Sequence, residues 1–142
     1  MNIGILGTGR IGATAARLFV DAGHEVAISN SRGPDSLREL VSSLGPKAHA
    51  MTTNETACFG EVVLLAVPWH REDALPPPEL LRGKVVIDAM NPYDPQGGFF
   101  DLGGSTSSEI VLTRIPGARL VKALNTIYYE HLACRGRKDL PV

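Results

Sequence analysis

Hydrophobic and polar positions along the chain follow two alternating patterns. An apolar run at residues 1–6 predicts a first strand. Apolar residues then recur at the spacing i, i+4, i+7, i+8 and i+11, which forms one face of a helix; they are Ile11, Ala15, Leu18, Phe19 and Ala22. A second apolar run at residues 24–29 predicts another strand, and Gly23 is placed to end the helix between them. Residues 1–29 are therefore predicted to form a strand–helix–strand unit.

The same alternation continues along the rest of the chain. Six apolar residues at 62–67 show no polar interruption, which is typical of a parallel strand buried on both faces. Ser36 with Glu39, and Thr106 with Glu109, have the spacing of a helix capping box. The other predicted strands are residues 48–51, 85–89 and 119–124, with a seventh that could begin at 139–142. The other predicted helices are residues 37–44, 53–60, an interrupted one within 70–82 and one after 106; residues 91–104 form a Gly- and Pro-rich loop and 125–133 a loop or short helix.

Strands and helices alternate six times, which is the pattern of an α/β fold with a parallel sheet. Right-handed crossovers and a glycine loop after the first strand favour the doubly wound strand order 3-2-1-4-5-6. At 142 residues, the chain can bury a substantial core without a metal or a disulfide. We therefore predict one NAD(P)-binding Rossmann domain over residues 1–142.

Composition and charge argue against several classes of function. Lys and Arg (14) nearly balance Asp and Glu (15), so a net charge of −1 gives no support to a nucleic-acid or membrane-surface role. No apolar run approaches the ~18–20 residues of a transmembrane helix, and the strand-like start does not resemble a secretory signal. Cys58 and Cys134 lack CxxC spacing, and we expect both to be reduced and buried in a cytoplasmic protein.

A glycine loop joins the first strand to the first helix. Its residues are Gly7, Thr8, Gly9, Arg10, Ile11 and Gly12. In this GxGxxG pattern the first glycine permits a tight turn, the second lets the backbone approach a pyrophosphate, and the third lets helix and strand pack closely. The helix N-terminus then offers unpaired N–H groups to the phosphates. The alternative is a structural glycine turn in another α/β fold.

The end of the second strand indicates which dinucleotide is preferred. An enzyme that prefers NAD places Asp or Glu there to bind the ribose 2′-hydroxyl. This chain has Asn30, Ser31 and Arg32, which can donate hydrogen bonds to a 2′-phosphate that a carboxylate would repel. We therefore predict NADP(H) rather than NAD(H), the alternative being that Arg32 is a solvated loop residue. Arg10 could add a second positive group near the same phosphate, although the sequence does not give its direction.

Further candidates follow the later strands, because ligands in this fold bind at the carboxyl ends of the strands. The residues there are Ala66, Val67, Pro68 and Trp69 after the fourth strand, Asn91 after the fifth and Asn125 after the sixth. Both asparagines could hydrogen-bond the nicotinamide carboxamide, the ribose or a substrate. Trp69 either stacks on a flat partner or is a core aromatic.

No catalytic side-chain constellation stands out beside these residues. Neither Tyr128 nor Tyr129 is followed four residues later by Lys, so the Tyr-x-x-x-Lys pair of short-chain dehydrogenases is absent. For His70 and Lys122 a surface or structural role is the simpler interpretation, and the histidines show no metal-site spacing. Hydride transfer between NADP(H) and another redox ring needs orientation and exclusion of water more than an acid–base side chain.

Several segments together resemble the coenzyme F-420-dependent NADP oxidoreductase family. They are MNIGILGTGRIGATAARLF, GHEVAISNSRGP, VVLLAVPW, VVIDAMNP, GGSTSSEIV and RLVKALNTI. The resemblance implies a Rossmann protein that passes hydride between NADPH and a deazaflavin or related acceptor, and it is compatible with a homodimer. By the same resemblance, residues 8–11 would contact the pyrophosphate, Ser31 and Arg32 the 2′-phosphate, residues 67–69 the nicotinamide half, and Asn91 with residues 125–127 the hydride-transfer face.

The chain departs from the family pattern at two points. Asn125 stands where some deazaflavin-using members carry His, which leaves the identity of the acceptor open. The family usually continues past the segment resembling residues 138–142, so we expect either a natural short form or a sequence cut short. The competing functional class is a non-catalytic NADP(H)-binding sensor or degenerate dinucleotide-binding module.

Overall fold

A computed structural model describes residues 1–135. The strands are β1 (Asn2–Leu6), β2 (Glu25–Ser29), β3 (Ala48–Ala50), β4 (Val62–Leu65), β5 (Val85–Asp88) and β6 (Arg119–Lys122). The helices are α1 (Arg10–Asp21), α2 (Arg38–Leu44), α3 (Thr53–Phe59), α4 (Ser107–Arg114) and α5 (Tyr129–Arg135). The seventh strand predicted at 139–142 lies outside the described residues. Within residues 1–135 the longest helix has 12 residues, and none is long and apolar enough to cross a membrane.

The six strands form one parallel sheet in the order β3-β2-β1-β4-β5-β6, which confirms the predicted doubly wound α/β fold. The last residues of five strands are in register across the sheet. Leu6 pairs with Ser29 on one side and with Leu65 on the other, and the row continues through Asp88 to Lys122. Because these strands end level with one another, the loops that follow them meet along one edge of the sheet.

Helices cover both faces of the sheet and divide the core into two clusters. On one face, α1, α2 and the residue before α2 contribute Ala15, Ala16, Leu44 and Leu37 to a cluster around the sheet residues Ile5, Ile28 and Leu64. On the other face, α3 and α4 contribute Ala57 and Val111 to a cluster that contains Val63, Leu65 and Val86. The central strands are buried on both sides, which explains the unbroken apolar run at residues 62–67.

The predicted helix within residues 70–82 is wrong. The structure has only two short 3₁₀ turns there, Glu72–Ala74 and Pro78–Leu80. Three consecutive prolines, Pro76 to Pro78, lack backbone N–H donors and disfavour a helical conformation in the residues before them. The connection between β4 and β5 is therefore irregular.

Two further predictions need correction. The Ser36–Glu39 capping box is absent, because a 3₁₀ turn covers Pro34–Leu37 and α2 begins at Arg38 without a side-chain cap. Cys58 and Cys134 are free but exposed, not buried. By contrast, the predicted capping box of Thr106 and Glu109 is present at the start of α4.

Candidate functional site

A cavity of about 1090 Å³ runs along the edge of the sheet where the strands end. Its wall is formed by the segments that follow five strands: residues 6–11 after β1, 29–33 after β2, 52–53 after β3, 66–71 and 73–74 after β4, and 89–91 and 93–95 after β5. Doubly wound sheets bind their ligands at this edge. The volume of the cavity is at the upper end of the range for small-molecule sites.

Each of the three glycines in the loop after β1 has a different structural role. Gly7 has a φ of +102°, donates its N–H to the Ser29 carbonyl oxygen at 2.9 Å, and leaves no space for a Cβ beside the Ala66 carbonyl. A Cβ on Gly12 would overlap the Gly7 carbonyl oxygen. A Cβ on Gly9 would meet no protein atom within 4 Å, because this glycine borders the cavity. Gly7 and Gly12 therefore permit the tight turn between β1 and α1. The missing side chain at Gly9 leaves space in the cavity beside the N-terminus of α1, and we call this space the cradle.

The N-terminus of α1 opens into this cradle. Gly9 is the N-cap residue, and it provides no side-chain hydrogen bond to the first turn. The first intrahelical bond runs from the Ala13 amide to the Gly9 carbonyl at 2.9 Å, so the amides before Ala13 have no helical partner. Unpaired amides and the positive end of the helix dipole favour a bound anion, and the residues present fit a phosphate group.

Asn30 organises the loop after β2. Its side-chain oxygen accepts hydrogen bonds from the Arg32 amide at 2.9 Å and from the Ser36 hydroxyl at 3.1 Å. Its amide nitrogen lies 2.9 Å from Ser36 Oγ and 3.5 Å from Thr8 Oγ1, on the glycine loop. These bonds shape the loop, while Ser31 and Arg32 stay exposed on the cavity wall.

Trp69 is both a core aromatic and part of the cavity wall. Only 8% of it is exposed, and it belongs to the cluster on the α4 face. Its ring lies 5.8 Å from the Phe100 ring, and the Arg114 guanidinium sits 4.8 Å above it. Arg114 also donates a hydrogen bond to the Trp69 carbonyl oxygen at 3.1 Å. The indole is therefore held in a fixed orientation at the end of β4.

A buried ion pair ties the end of β5 to β6. The Asp88 carboxylate is fully buried, accepts the Met90 amide at 2.9 Å, and lies 3.0 Å from Lys122 Nζ. Lys122 also donates to the Met90 carbonyl oxygen. Asn91 donates to the Asn125 carbonyl oxygen at 2.8 Å, across the same gap. These bonds fix the floor of the cavity beside Met90 and Asn91.

Most of the residues predicted from the sequence meet on the cavity wall. Gly12 and Asn125 do not: Gly12 is buried, and Asn125 lies outside the wall and accepts a hydrogen bond from Asn91 through its carbonyl oxygen. Leu124, whose φ is +64°, turns the chain just before Asn125. Arg10 lines the cavity and also stacks on the Tyr129 ring of α5.

Several wall residues were not singled out from the sequence. They are Thr52 and Thr53 after β3, the stretch Tyr93, Asp94 and Pro95, and Arg71 with Asp73. The rule of strand carboxyl ends could have found the two threonines. Arg71 donates two hydrogen bonds to Asp73 and holds the pKa of that carboxyl below its usual value. Within residues 1–135 no group of three or more His, Cys, Asp or Glu side chains could hold a metal ion.

Comparison with known proteins identifies a family. Residues 2–92 match the family described as NADP oxidoreductase, coenzyme F420-dependent. No curated protein gives a significant match.

Solved structures are similar over almost the whole chain. A hypothetical protein from Sinorhizobium meliloti has a TM-score of 0.81 at 34% identity, over 97% of this chain and 67% of that one. A candidate F420-dependent NADP reductase from Arthrobacter sp. FB24 has a TM-score of 0.85 at 29% identity, over 96% and 68%. An imine reductase from Myxococcus stipitatus in complex with NADP⁺ has a TM-score of 0.65 at 16% identity, over 92% and 43%, which shows the shared fold alone.

Proposed function

The chain belongs to the coenzyme F420-dependent NADP oxidoreductase family, and from that premise we propose that it binds NADPH and transfers its hydride to a deazaflavin, a flavin or a similar planar acceptor. The observation that carries the proposal is one continuous cavity that joins the loop with an exposed arginine after β2, the anion cradle after β1 and the aromatic wall after β4. A dinucleotide needs these three environments in that order along the sheet edge.

The dinucleotide half of the site uses backbone amides and one cation. In our proposal the first-turn amides of α1 hold the diphosphate above Gly9, where a side chain would intrude. Ser31 and Arg32 hold the 2′-phosphate with a hydroxyl and a charge-assisted hydrogen bond. Asn30 does not need to reach the phosphate, because its hydrogen bonds to Ser36 and the Arg32 backbone already give the loop its shape. Its role is to present Ser31 and Arg32.

The other half of the cavity supplies orientation and excludes water. Residues 66–69 and Asn91 would form the wall beside the nicotinamide, which supplies the hydride when the cofactor is bound. Asn91 is oriented by its hydrogen bond to Asn125, and the floor is held by the Asp88–Lys122 pair. Because hydride moves directly between two rings, these residues contribute geometry rather than proton transfer.

A non-catalytic NADP(H)-binding module is the second candidate. One observation favours it: Arg71 and Asp73, two exposed residues of the cavity wall, hydrogen-bond to each other and leave less capacity for contacts with an acceptor. Both candidates require NADPH binding, so binding alone does not separate them.

Stopped-flow oxidation of bound NADPH tests the catalytic proposal. The protein is mixed with NADPH, then with a deazaflavin, a flavin or a quinone, and absorbance at the nicotinamide band is followed. Faster NADPH oxidation than in a protein-free control, saturable in acceptor, supports the proposed function. Tight NADPH binding without acceptor-dependent oxidation would favour the module.

A further inference from the structure

An aromatic ring outside the glycine loop touches the arginine within it. The Arg10 guanidinium carbon lies 5.1 Å from the centre of the Tyr129 ring, which is within the range of a cation–π contact. Arg10 is the first residue of α1 and lines the cavity beside Gly9. Tyr129 is the first residue of α5 and is separated from Arg10 by most of the chain. The contact therefore links the site of the diphosphate to the helix that follows β6.

Helix α5 lies beside α1, so the contact between Arg10 and Tyr129 is part of a longer contact between the two helices. A groove between the two helices is lined by Ala13, Thr14, Arg17, Leu18 and Asp21 of α1 and by Ala133 of α5. With Arg10, these α1 residues follow the spacing i, i+3, i+4, i+7, i+8 and i+11, which is one helical stripe. Tyr129 thus contacts Arg10, the first residue of the stripe on α1 that faces α5.

The Tyr129 hydroxyl is occupied elsewhere. It donates a hydrogen bond to the Glu130 carboxylate at 2.9 Å, and this bond raises the pKa of the phenol above its usual value. The Tyr128 ring packs 4.7 Å away, and a hydrogen bond with the Tyr128 side chain is a second, smaller cause of the raised pKa. The group that Tyr129 offers to Arg10 is therefore its ring face and not its hydroxyl.

A contact over the Tyr129 ring leaves N–H donors of Arg10 available for a phosphate. A guanidinium that lies on a ring uses its face, and its five N–H donors point outward in the plane. Such a planar fork can bind two oxygens of a phosphate at once. Without the ring, an exposed arginine would lose more side-chain entropy on binding, because its rotamers would be unrestricted beforehand.

We propose that Tyr129 is a positioning residue, which holds the Arg10 guanidinium ready for the cofactor diphosphate. This inference rests on the proposed binding of NADPH. Arg10 adjoins the anion cradle of α1, whereas the 2′-phosphate has its own cation in Arg32 on the loop after β2. The contribution of Tyr129 is therefore the same for NADPH and NADH, since both carry the diphosphate.

Dissociation constants of NADPH and NADH, measured by nicotinamide fluorescence on the full chain, test the proposal. Tyr129→Leu removes the ring and should weaken both cofactors by about threefold to fivefold, as expected for an exposed cation–π contact. Tyr129→Phe keeps the ring face and is the matched control, which should stay within about twofold of the wild type. In an Arg10→Ala background, Tyr129→Leu should have no further effect, because its only proposed route to the cofactor is Arg10.

Each contrary result has a distinct meaning. Equal losses in the Arg10→Ala and wild-type backgrounds would show that Tyr129 acts through α5 packing and would overturn the proposal. An unchanged affinity in Tyr129→Leu would also overturn it. If Tyr129→Leu lowers the unfolding midpoint, Tyr129→Met replaces it: this flexible side chain fills the space without a ring and should weaken both cofactors to the same extent, and wild-type affinity would contradict the proposal. A wild-type protein that binds no NADPH would instead refute the proposed function.

Discussion

Two glycines of one loop should respond oppositely to the same added methyl group. Gly12→Ala places a Cβ against the Gly7 carbonyl oxygen, so the turn between β1 and α1 must open. Gly9→Ala places a Cβ where no protein atom lies within 4 Å, at φ −70° and ψ −170°, a conformation that alanine adopts readily. Gly12→Ala should therefore affect folding, and Gly9→Ala should affect only ligand binding.

The magnitudes follow from the surroundings of each Cβ. Overpacking costs about 1–3 kcal/mol, and a Cβ that overlaps a backbone oxygen lies in the upper part of that range, at about 2–3 kcal/mol; alanine in a helix recovers about 1 kcal/mol relative to glycine. Gly12→Ala should then lose about 1–2 kcal/mol of unfolding free energy. In Gly9→Ala the weaker N-cap and the less flexible unfolded chain nearly cancel, leaving a change within about 0.5 kcal/mol. The methyl group of Gly9→Ala should cost binding about 1.5–3 kcal/mol, the value of one charge-assisted hydrogen bond to a phosphate.

Urea unfolding followed by the fluorescence of Trp69 measures the first effect. With a slope near ~1.5 kcal/mol per M, Gly12→Ala should lower the midpoint by roughly 0.7–1.3 M, and Gly9→Ala should leave it almost unchanged. NADPH titration measures the second effect, and Gly9→Ala should bind about 10- to 150-fold more weakly. Wild-type affinity in Gly9→Ala, or wild-type stability in Gly12→Ala, would refute this division of roles.

Three further changes test the supporting structure. Lys122→Met leaves the buried Asp88 carboxylate without its cation and should cost about 2–4 kcal/mol of unfolding free energy; combining it with Asp88→Asn should recover most of that, and additive losses would contradict the pair. Thr56→Val removes a buried hydroxyl that has no partner among the described residues, and should be neutral or stabilising by up to ~1 kcal/mol; a clear loss of stability would contradict this. Hydrogen bonds from Thr106 hold the pKa of Glu109 below 4.5. The contribution of Glu109 to the free energy of unfolding is therefore complete above pH 4.5 and is lost as the pH falls through the lowered pKa. In Glu109→Gln, the free energy of unfolding should depend less on pH in this acid range. The same dependence as in the wild type would contradict the prediction.

The sheet could be predicted because its signals are local and repeated. Strands β1, β2 and β4 are apolar runs, and the glycine loop identifies which strand comes first in the doubly wound order. Boundaries were less accurate. The apolar run at 62–67 continues two residues past the last paired residue of β4, because Ala66 and Val67 form the cavity wall rather than pair with β5. Apolar character alone does not separate a strand from the wall beyond it.

The errors came from competition that the local pattern does not show. Ser36 has the correct spacing to cap a helix, but its hydroxyl is used by Asn30 and the Gly33 carbonyl oxygen. Cys58 lies at the exposed end of a short helix, although cysteine is usually buried.

Prediction of the site was limited in the same way, because some of its contacts are not visible in the local sequence pattern. The carboxyl-end rule located Trp69 and Asn91, whereas the contacts of Arg114 with Trp69 and of Tyr129 with Arg10 join residues far apart in sequence. No spacing in the sequence indicates either contact, because the first depends on how α4 packs against the turn after β4 and the second on how α5 packs against α1. Asn125 was expected on the wall, but it follows the turn at Leu124 and is not among the residues that line the cavity.

The central claim is that the loop after β2 selects NADP(H) through Arg32. The most direct test is calorimetric measurement of the dissociation constants of NADPH and NADH for the wild type and for Arg32→Ala. The account predicts tighter binding of NADPH by the wild type, and a selective loss of about 1–3 kcal/mol for NADPH in Arg32→Ala, with NADH almost unchanged. Equal affinity of the wild type for both cofactors, or equal weakening of both in Arg32→Ala, would contradict it.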